Sequence, residues 1–272
     1  MKKAGARIYT FLIFLFLYAP ILVLIVFSFN DSETASRTVW GGFSLRWYRK
    51  LFEDRLILEA LCNTLLIAVV SAAASTVLGT MAAIGINSMK RLPRRVMMNI
   101  TNFPMVNPEI VTGVSLMLLF VSAVRLFGGR SLGMGSLFAA HITFCLPYVI
   151  LSVLPKLRQM DPSLTDAALD LGCKPWQAFF KVTIHEIMPG IVSGAMMAFT
   201  MSLDDFVISY FVYGPGFVTL PVEIYNYTKK PLPPKIYALF TLLFFAILLL
   251  MVGMNLLQAR DEKRQKARGR RG

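Results

Sequence analysis

DPSLTDAALDLGCKPWQAFFKVTIHEIMPG, residues 161–190, is a polar, turn-rich interval in a chain that is otherwise mostly apolar. Asp161 can cap a helix that has Pro162 at its first position, where the missing N–H costs nothing. Leu164, Ala167, Ala168 and Leu171 follow at i, i+3, i+4 and i+7, the spacing of one helical face. Gly172 can take the left-handed conformation that ends a helix, and Pro175 is suited to begin the next. The spacing therefore predicts a short capped helix with a narrow, alanine-rich apolar face. Such a face can seat in a groove on another protein, or rest on its own bundle or a lipid surface, and spacing alone favours neither.

The surroundings of this interval are membrane-like. Of the 272 residues 56% are hydrophobic, and the mean hydropathy is +0.62. Soluble domains sit nearer about 45–50% apolar, so the excess points to lipid as the solvent. A helix of about 20 apolar residues can cross a hydrocarbon core. Six stretches qualify: Ile8–Phe29, Leu61–Asn87, Val96–Val124, Met134–Leu154, Gly190–Val212 and Ile236–Gln258. They leave no room for a soluble catalytic domain. The fold class expected is all-α: one polytopic transmembrane bundle spanning residues 1–272, with a cytoplasmic loop at about 156–189. The opening MKKAGAR resembles the charged start of a secretory signal, but the apolar run behind it is too long for a signal core and lacks a small-x-small site. It is read as a retained helix.

Charge supplies orientation. With both ends inside, Lys2, Lys3 and Arg7, then Lys90, Arg91, Arg94 and Arg95, then Lys156, Arg158, Lys174 and Lys181, and finally the basic residues from Arg260 to Arg271 fall in the cytoplasm. They make up eighteen of the 28 Lys and Arg. The positive-inside tendency thus places both termini in the cytoplasm. The net charge of +13 is then largely topology signal plus attraction to the lipid bilayer, and no nucleic-acid partner is expected, because no basic groove with interleaved aromatics is available. Cys62, Cys145 and Cys173 have no metal-ligand spacing, so no metal site is expected.

Two further segments carry structure. In the outer loop Asn30–Glu59, Ser44 can cap a helix in LRWYRKLFED, with Leu45, Tyr48, Leu51 and Phe52 on one face and Trp47 beside them. That helix reads as an interfacial anchor or a landing surface for an external partner. The second span is rich in small residues, among them Ala72, Ser75, Gly79 and Ala83, which let helices approach closely in lipid.

Acids inside the spans are the candidate functional residues. A central Asp costs about +2.5 to +3.5 kcal/mol on translocon scales, so such groups normally face a bundle interior or water. Asp204 and Asp205 interrupt the fifth span in MSLDDFVISYFVYGPG, residues 201–216, and Glu109 lies in the third beside Pro108, which can kink or break its helix. On a continuous helix the two Asp would stand about 100° apart and line adjacent walls of one cavity. Phe206, Tyr210 and Phe211 could flank them as aromatic walls, and Glu223, Tyr225 and Tyr227 in LPVEIYNYTKK would stand near the outer mouth as a gate, a docking surface or an interfacial belt. The competing reading is that an Asp pairs with a cation or caps a helix end. His141 reads as a hydrogen-bonded bundle residue rather than a proton relay.

The interval at 161–190 resembles the EAA loop of ABC-importer permeases, with Asp166-Ala167-Ala168 as the first triplet, Gly172 in place, and Val182 and Ile184 at the apolar positions. Asp166 stands for the usual Glu and His185 for the usual Pro. Taken in order, FPMVNPEIVTGVSLMLLF, HITFCLPYV, DAALDLG and AFTMSLDDFVISYFVYGPG resemble the inner-membrane permease of spermidine/putrescine ABC importers over nearly the whole chain. The resemblance implies a type I importer permease fold in the bacterial plasma membrane. It implies a second permease subunit, an ABC ATPase dimer that binds ATP and Mg, and an extracytoplasmic polyamine-binding protein. The helix carrying Leu164, Asp166, Ala167, Ala168 and Leu171, closed by Gly172, would couple to the ATPase. Nothing in the chain resembles a G-x-x-x-x-G-K-[ST] phosphate loop, so no nucleotide cofactor is expected on it and no catalytic residue is assigned. Polyamines carry ammonium groups on methylene spacers, which suits carboxylates with aromatic walls. The alternatives are a permease for another cationic or metal solute, an ion-coupled transporter working alone, an oxyanion permease, which should show bases in its spans, and an intramembrane aspartyl protease, which needs carboxylates facing each other from different helices.

Overall fold

A computed structural model describes residues 2–32, 40–128, 132–229, 233–249 and 252–253. Among these the chain is helical, with two isolated bridges, Asn30 to Phe43 and Gly214 to Phe217, in place of strands. The order is α1 (Lys2–Ser28), α2 (Arg46–Phe52), α3 (Arg55–Ser88), α4 (Arg91–Val106), α5 (Glu109–Phe127), α6 (Met134–Gln159), α7 (Ser163–Asp170), α8 (Pro175–Ala178), a π-turn (Phe179–Thr183), α9 (Ile184–Asp204), α10 (Val207–Val212), α11 (Leu220–Thr228) and α12 (Lys235–Leu249). Among the described residues five helical stretches are long and apolar enough to cross a membrane: Tyr9–Ser28, Arg55–Ser88, Glu109–Leu126, Met134–Gln159 and Pro175–Asp204. The described part of α12 is shorter, and the remainder of the expected sixth span to Gln258, like the basic tail from Arg260, lies outside the described residues.

Two of the expected spans have a different form. The stretch 96–124 is two helices, because Asn107 and Pro108 adopt extended backbone (ψ 137° and 133°) between α4 and α5. Pro108 supplies the reason, since it disfavours the helical conformation of the residue before it. The fifth span starts earlier than Gly190: one helical run extends from Pro175 to Asp204 through the π-turn, with His185 and Pro189 both inside it. His185 keeps the N–H that a proline would remove, so the helix passes that point unbroken.

The chain forms two compact units, one made by its two ends (up to Leu56 and from Asn226) and the other by Ile57–Tyr225. In the first, α2 folds back on the end of α1. Trp47 and Leu51 are buried there, whereas Leu45 and Phe52 are exposed. The indole of Trp47 donates to the Asn30 carbonyl (2.8 Å), and the Tyr48 hydroxyl meets Ser28 Oγ (2.7 Å). This differs from the face expected from spacing. A buried indole N–H requires an acceptor, and the Asn30 carbonyl just past the end of α1 supplies one. Ser44 Oγ accepts the Arg46 N–H (3.1 Å), but Leu45 and not Ser44 stands at the cap of α2, one residue later than expected. Asp54 pairs with Lys235 in the same unit.

In the second unit, α9 packs along α6, and α10 against α5 and α6. Its core runs through Ile67, Ala72 and Ala83 of α3, Leu137, Phe144 and Val149 of α6, and Ile187, Ala198 and Ile208 beyond. Small residues set the spacing. A Cβ on Gly79 would lie 2.7 Å from the Val149 side chain, and one on Gly190 would lie 2.9 Å from the Ser152 carbonyl oxygen. Close approach of this kind is how helices associate where no water is expelled.

Candidate functional site

The acid pair stands at a break in the fifth span. Asp204 is the last residue of α9, Asp205 has extended backbone (φ −62°, ψ 120°), and α10 restarts at Val207. The expectation of two carboxylates on a continuous helix is therefore corrected, and with it the 100° separation. The two side chains also have different surroundings. Asp204 is exposed, whereas Asp205 is only 8% exposed. The carboxylate of Asp205 accepts the Ile208 N–H (3.2 Å) and the Ser209 N–H (2.8 Å), two of the donors that a helix start leaves unpaired. Its Oδ2 also lies 3.5 Å from Nε2 of His141 on α6.

An aromatic wall begins at the same break. The Phe206 ring lies 5.5 Å from Tyr210 and 4.9 Å from Tyr225, and Tyr210 and Tyr225 are 5.4 Å apart. Phe206 and Tyr210 are neighbours because they are four residues apart across the first turn of α10. Tyr225 arrives from α11, whose start is pinned to α3: Thr64 Oγ1 accepts the Leu220 N–H (2.7 Å), and Asn63 donates to the Val218 carbonyl (3.1 Å). Glu223 is on α11 and partly buried, but it belongs to no described contact with the Asp pair. Glu109 is exposed in the first turn of α5, where a negative charge is favoured by the helix dipole. Thus Asp204, Tyr210 and Tyr225 gather around one break, while Glu109 and Glu223 stand on other elements. Among the described residues no group of His, Cys, Asp or Glu could hold a metal ion.

The loop helix α7 carries none of its residues buried. Asp161 accepts the Ser163 N–H (3.0 Å), which holds its carboxyl below the usual carboxylate range. At the other end the Cys173 N–H reaches the Ala168 carbonyl (3.0 Å) and the Gly172 N–H the Leu169 carbonyl (2.9 Å), with Gly172 at φ +86°. That pair of bonds is a Schellman close, and it turns the chain toward Pro175. Leu164, Ala167 and Leu171 are exposed, Leu171 by 86%. Two further exposed aromatics extend this surface, Trp176 and Phe180. Sequence reasoning passed over them, although their i, i+4 spacing was the available signal.

The family profile of the binding-protein-dependent transport system inner membrane component matches residues 75–266. The chain belongs to this family. Among the relatives of this permease, the putrescine transport system permease protein PotI of Escherichia coli (strain K12) is 41% identical over 95% of this chain and 93% of its own. The spermidine/putrescine transport system permease protein PotC of the same strain is 35% identical over 92% of each chain. PotC of Haemophilus influenzae is 33% identical over 93% of this chain and 96% of its own. Among solved structures, a bacterial ABC transporter involved in import of the acidic polysaccharide alginate superposes with a TM-score of 0.70 at 13% identity, covering 94% of this chain and 95% of that one. A second alginate transporter structure, in complex with an alginate pentasaccharide-bound periplasmic protein, gives 0.68 at 16% identity over 92% of each chain.

These likenesses bear out the type I ABC importer permease fold and the all-α, multi-pass membrane architecture. The permease is a membrane component of an ABC importer, working with a binding protein, and its relatives are transport proteins rather than enzymes. The remaining polar residues at the break were not foreseen as a group. His141 was expected to be hydrogen-bonded within the bundle, but its partners Ser202 and Ser209 come from the far sides of a break that hydropathy does not reveal.

Proposed function

We propose that the permease carries polyamines, putrescine or spermidine, across the plasma membrane. The observation that carries this reading is the aromatic wall of Phe206, Tyr210 and Tyr225, which begins two residues after the exposed Asp204. An ammonium over such rings gains about 0.5–1 kcal/mol when exposed and about 2 or more when desolvated. A carboxylate nearby adds charge attraction, and the rings also contact the methylene spacer. The names of the relatives point to the same cargo.

The energy comes from partners. A second permease subunit completes the path, an ABC ATPase dimer holds ATP and Mg, and an extracytoplasmic polyamine-binding protein delivers cargo. Support for the ATPase contact is the exposed surface of Leu164, Ala167 and Leu171 at α7, a helix with no buried residue of its own, and of Trp176 and Phe180 just beyond it. Both termini lie in the cytoplasm on this reading, consistent with the basic start of α4 at Lys90–Arg95.

The complete complex in liposomes, with binding protein, tests the cargo. ATPase activity should rise on adding putrescine or spermidine. If another cation stimulates and neither polyamine does, the cargo assignment fails while the importer assignment stands. Cysteines placed at the two ends should react with impermeant maleimide only from the ATPase side.

A further inference from the structure

Four buried polar residues meet where the fifth span breaks. Nδ1 of His141 lies 2.7 Å from Ser202 Oγ on α9, and Nε2 lies 3.0 Å from Ser209 Oγ on α10 and 3.5 Å from Asp205 Oδ2 between them. All four are buried, His141 to 1% exposure. One imidazole on α6 therefore ties together both sides of the break, through its two opposite nitrogens.

A break needs such a tie for a physical reason. Between Asp204 and Val207 the helical backbone ladder is interrupted, so α9 and α10 are no longer held in line by it. Asp205 satisfies the first donors of α10, which fixes where that helix starts. His141 then fixes the start relative to α9 and α6. On its other side α10 is seated against α5, where the Phe211 ring lies so close that a Cβ on Gly113 would approach it to 2.9 Å. Phe206 stands at the cap of α10 and Tyr210 one turn into it, and the last residue of α9 is Asp204. The position of the wall relative to the exposed carboxylate is thus set by the buried cluster behind them.

We propose that His141 and Asp205 are positioning residues for transport: they hold the break so that Asp204 and the Phe206–Tyr210–Tyr225 wall face the cargo together, without touching the cargo themselves. The adjacent acids then have separate tasks, one in the path and one in the hinge behind it. This rests on the reading that the Asp204 face lines the polyamine path.

Chemistry distinguishes a positioning carboxylate from a cargo-binding one. Asn keeps one of the two acceptor oxygens that Asp205 uses and carries no charge, so it preserves part of the cap while alanine preserves none. The assay is uptake of labelled putrescine by the full complex in liposomes, with permease abundance and ATPase retention measured on the same preparations. Asp205→Ala and His141→Leu should each lower uptake about tenfold, the size expected for loss of a buried cap or link. Asp205→Asn, and His141→Gln with a polar group at the reach of Nε2, should keep a third or more of the wild-type rate. Asp205→Asn present at normal abundance but as inactive as Asp205→Ala would overturn the proposal, because the retained cap acceptor would then be without effect. If Asp205→Asn fails to accumulate, the His141 pair decides: wild-type uptake in His141→Leu, or equal loss in His141→Leu and His141→Gln, overturns it. Asp204→Asn tests the path separately. Normal uptake in that variant, together with the predicted rescue by His141→Gln, would leave the hinge standing and remove Asp204 from the path.

Discussion

Replacing Gly172 by alanine should weaken ATPase binding through backbone strain alone. The glycine sits at φ +86°, where an L-residue brings its Cβ too near the next carbonyl at a cost of about 1–2 kcal/mol. Nothing lies within 4 Å of the position a Cβ would take, so no steric clash contributes. Nor is there much compensation, because α7 buries none of its residues fully and has little packing to hold the turn against the strain. In the unbound loop the strain can be relieved by opening the two bonds from Gly172 and Cys173 to the Leu169 and Ala168 carbonyls. Docking α7 as a formed helix must restore them, so the strain appears as lost affinity, a factor of about 5–30. The measurement is the equilibrium affinity of the detergent-solubilised permease pair for its ATPase dimer. Gly172→Asn should recover most of the loss, since Asn tolerates the left-handed region, and Gly172→Val should be worse than alanine. Wild-type affinity in Gly172→Ala would show either that α7 does not dock with this turn closed or that it does not dock at all.

Gly190→Ala should cost about 1–3 kcal/mol, because its Cβ would meet the Ser152 carbonyl oxygen at 2.9 Å, and backbone cannot yield as a side chain can. Gly85→Ala, with open space at the same position, should leave thermal stability in detergent unchanged or raised. Asp161→Asn should be silent in the ATPase-affinity assay and Asp161→Ala should weaken it, since only the cap is lost in the second. Because the Asp161 carboxyl is held below its usual range, the charged cap is fully present above the ordinary carboxylate pKa and is lost only as pH falls through the depressed value. Uptake near neutral pH should therefore show no titration from it. Phe206→Ala and Tyr225→Ala should lower putrescine uptake about 2–30-fold, the range of one cation–π contact, whereas Tyr225→Phe should keep it, because the ring face and not the hydroxyl is used.

The spans were legible because lipid imposes one rule, a run of apolar residues long enough to cross, and hydropathy reads that rule directly. The breaks within them were less so. Pro108 announced the one between α4 and α5. The one at Asp205 and Phe206 contains neither proline nor glycine, and helical periodicity assumes the continuity that the structure lacks. Hydropathy also put the start of the fifth span at Gly190, because the helix from Pro175 begins amphipathic and exposed and only later becomes apolar. The ends of α7 were largely readable, since Asp161, Gly172 and Pro175 act through local backbone geometry, although the helix begins at Ser163 with Pro162 at its cap rather than at its first position. Trp47 was not, because its burial depends on an acceptor at Asn30 that the chain brings near only by folding back. The same holds for Tyr225, placed by anchors more than 150 residues away at Asn63 and Thr64.

The adjacency of the two acids follows from the break itself. In hydrocarbon, backbone donors freed at a helix break must be satisfied from within the protein, since water is absent. A carboxylate just before the new helix does this with two oxygens, and its charge suits the positive end of the dipole. Asp205 is in that position and makes those bonds. The preceding residue ends the old helix, and in this permease it is exposed where Asp205 is buried. A broken span thus offers two neighbouring sites of opposite character, one sealed and one open. If the open one receives an ammonium, the site is built at the point where the helix already had to be interrupted. The cost of admitting an acid to the span is then offset once by the cap and once by the cargo.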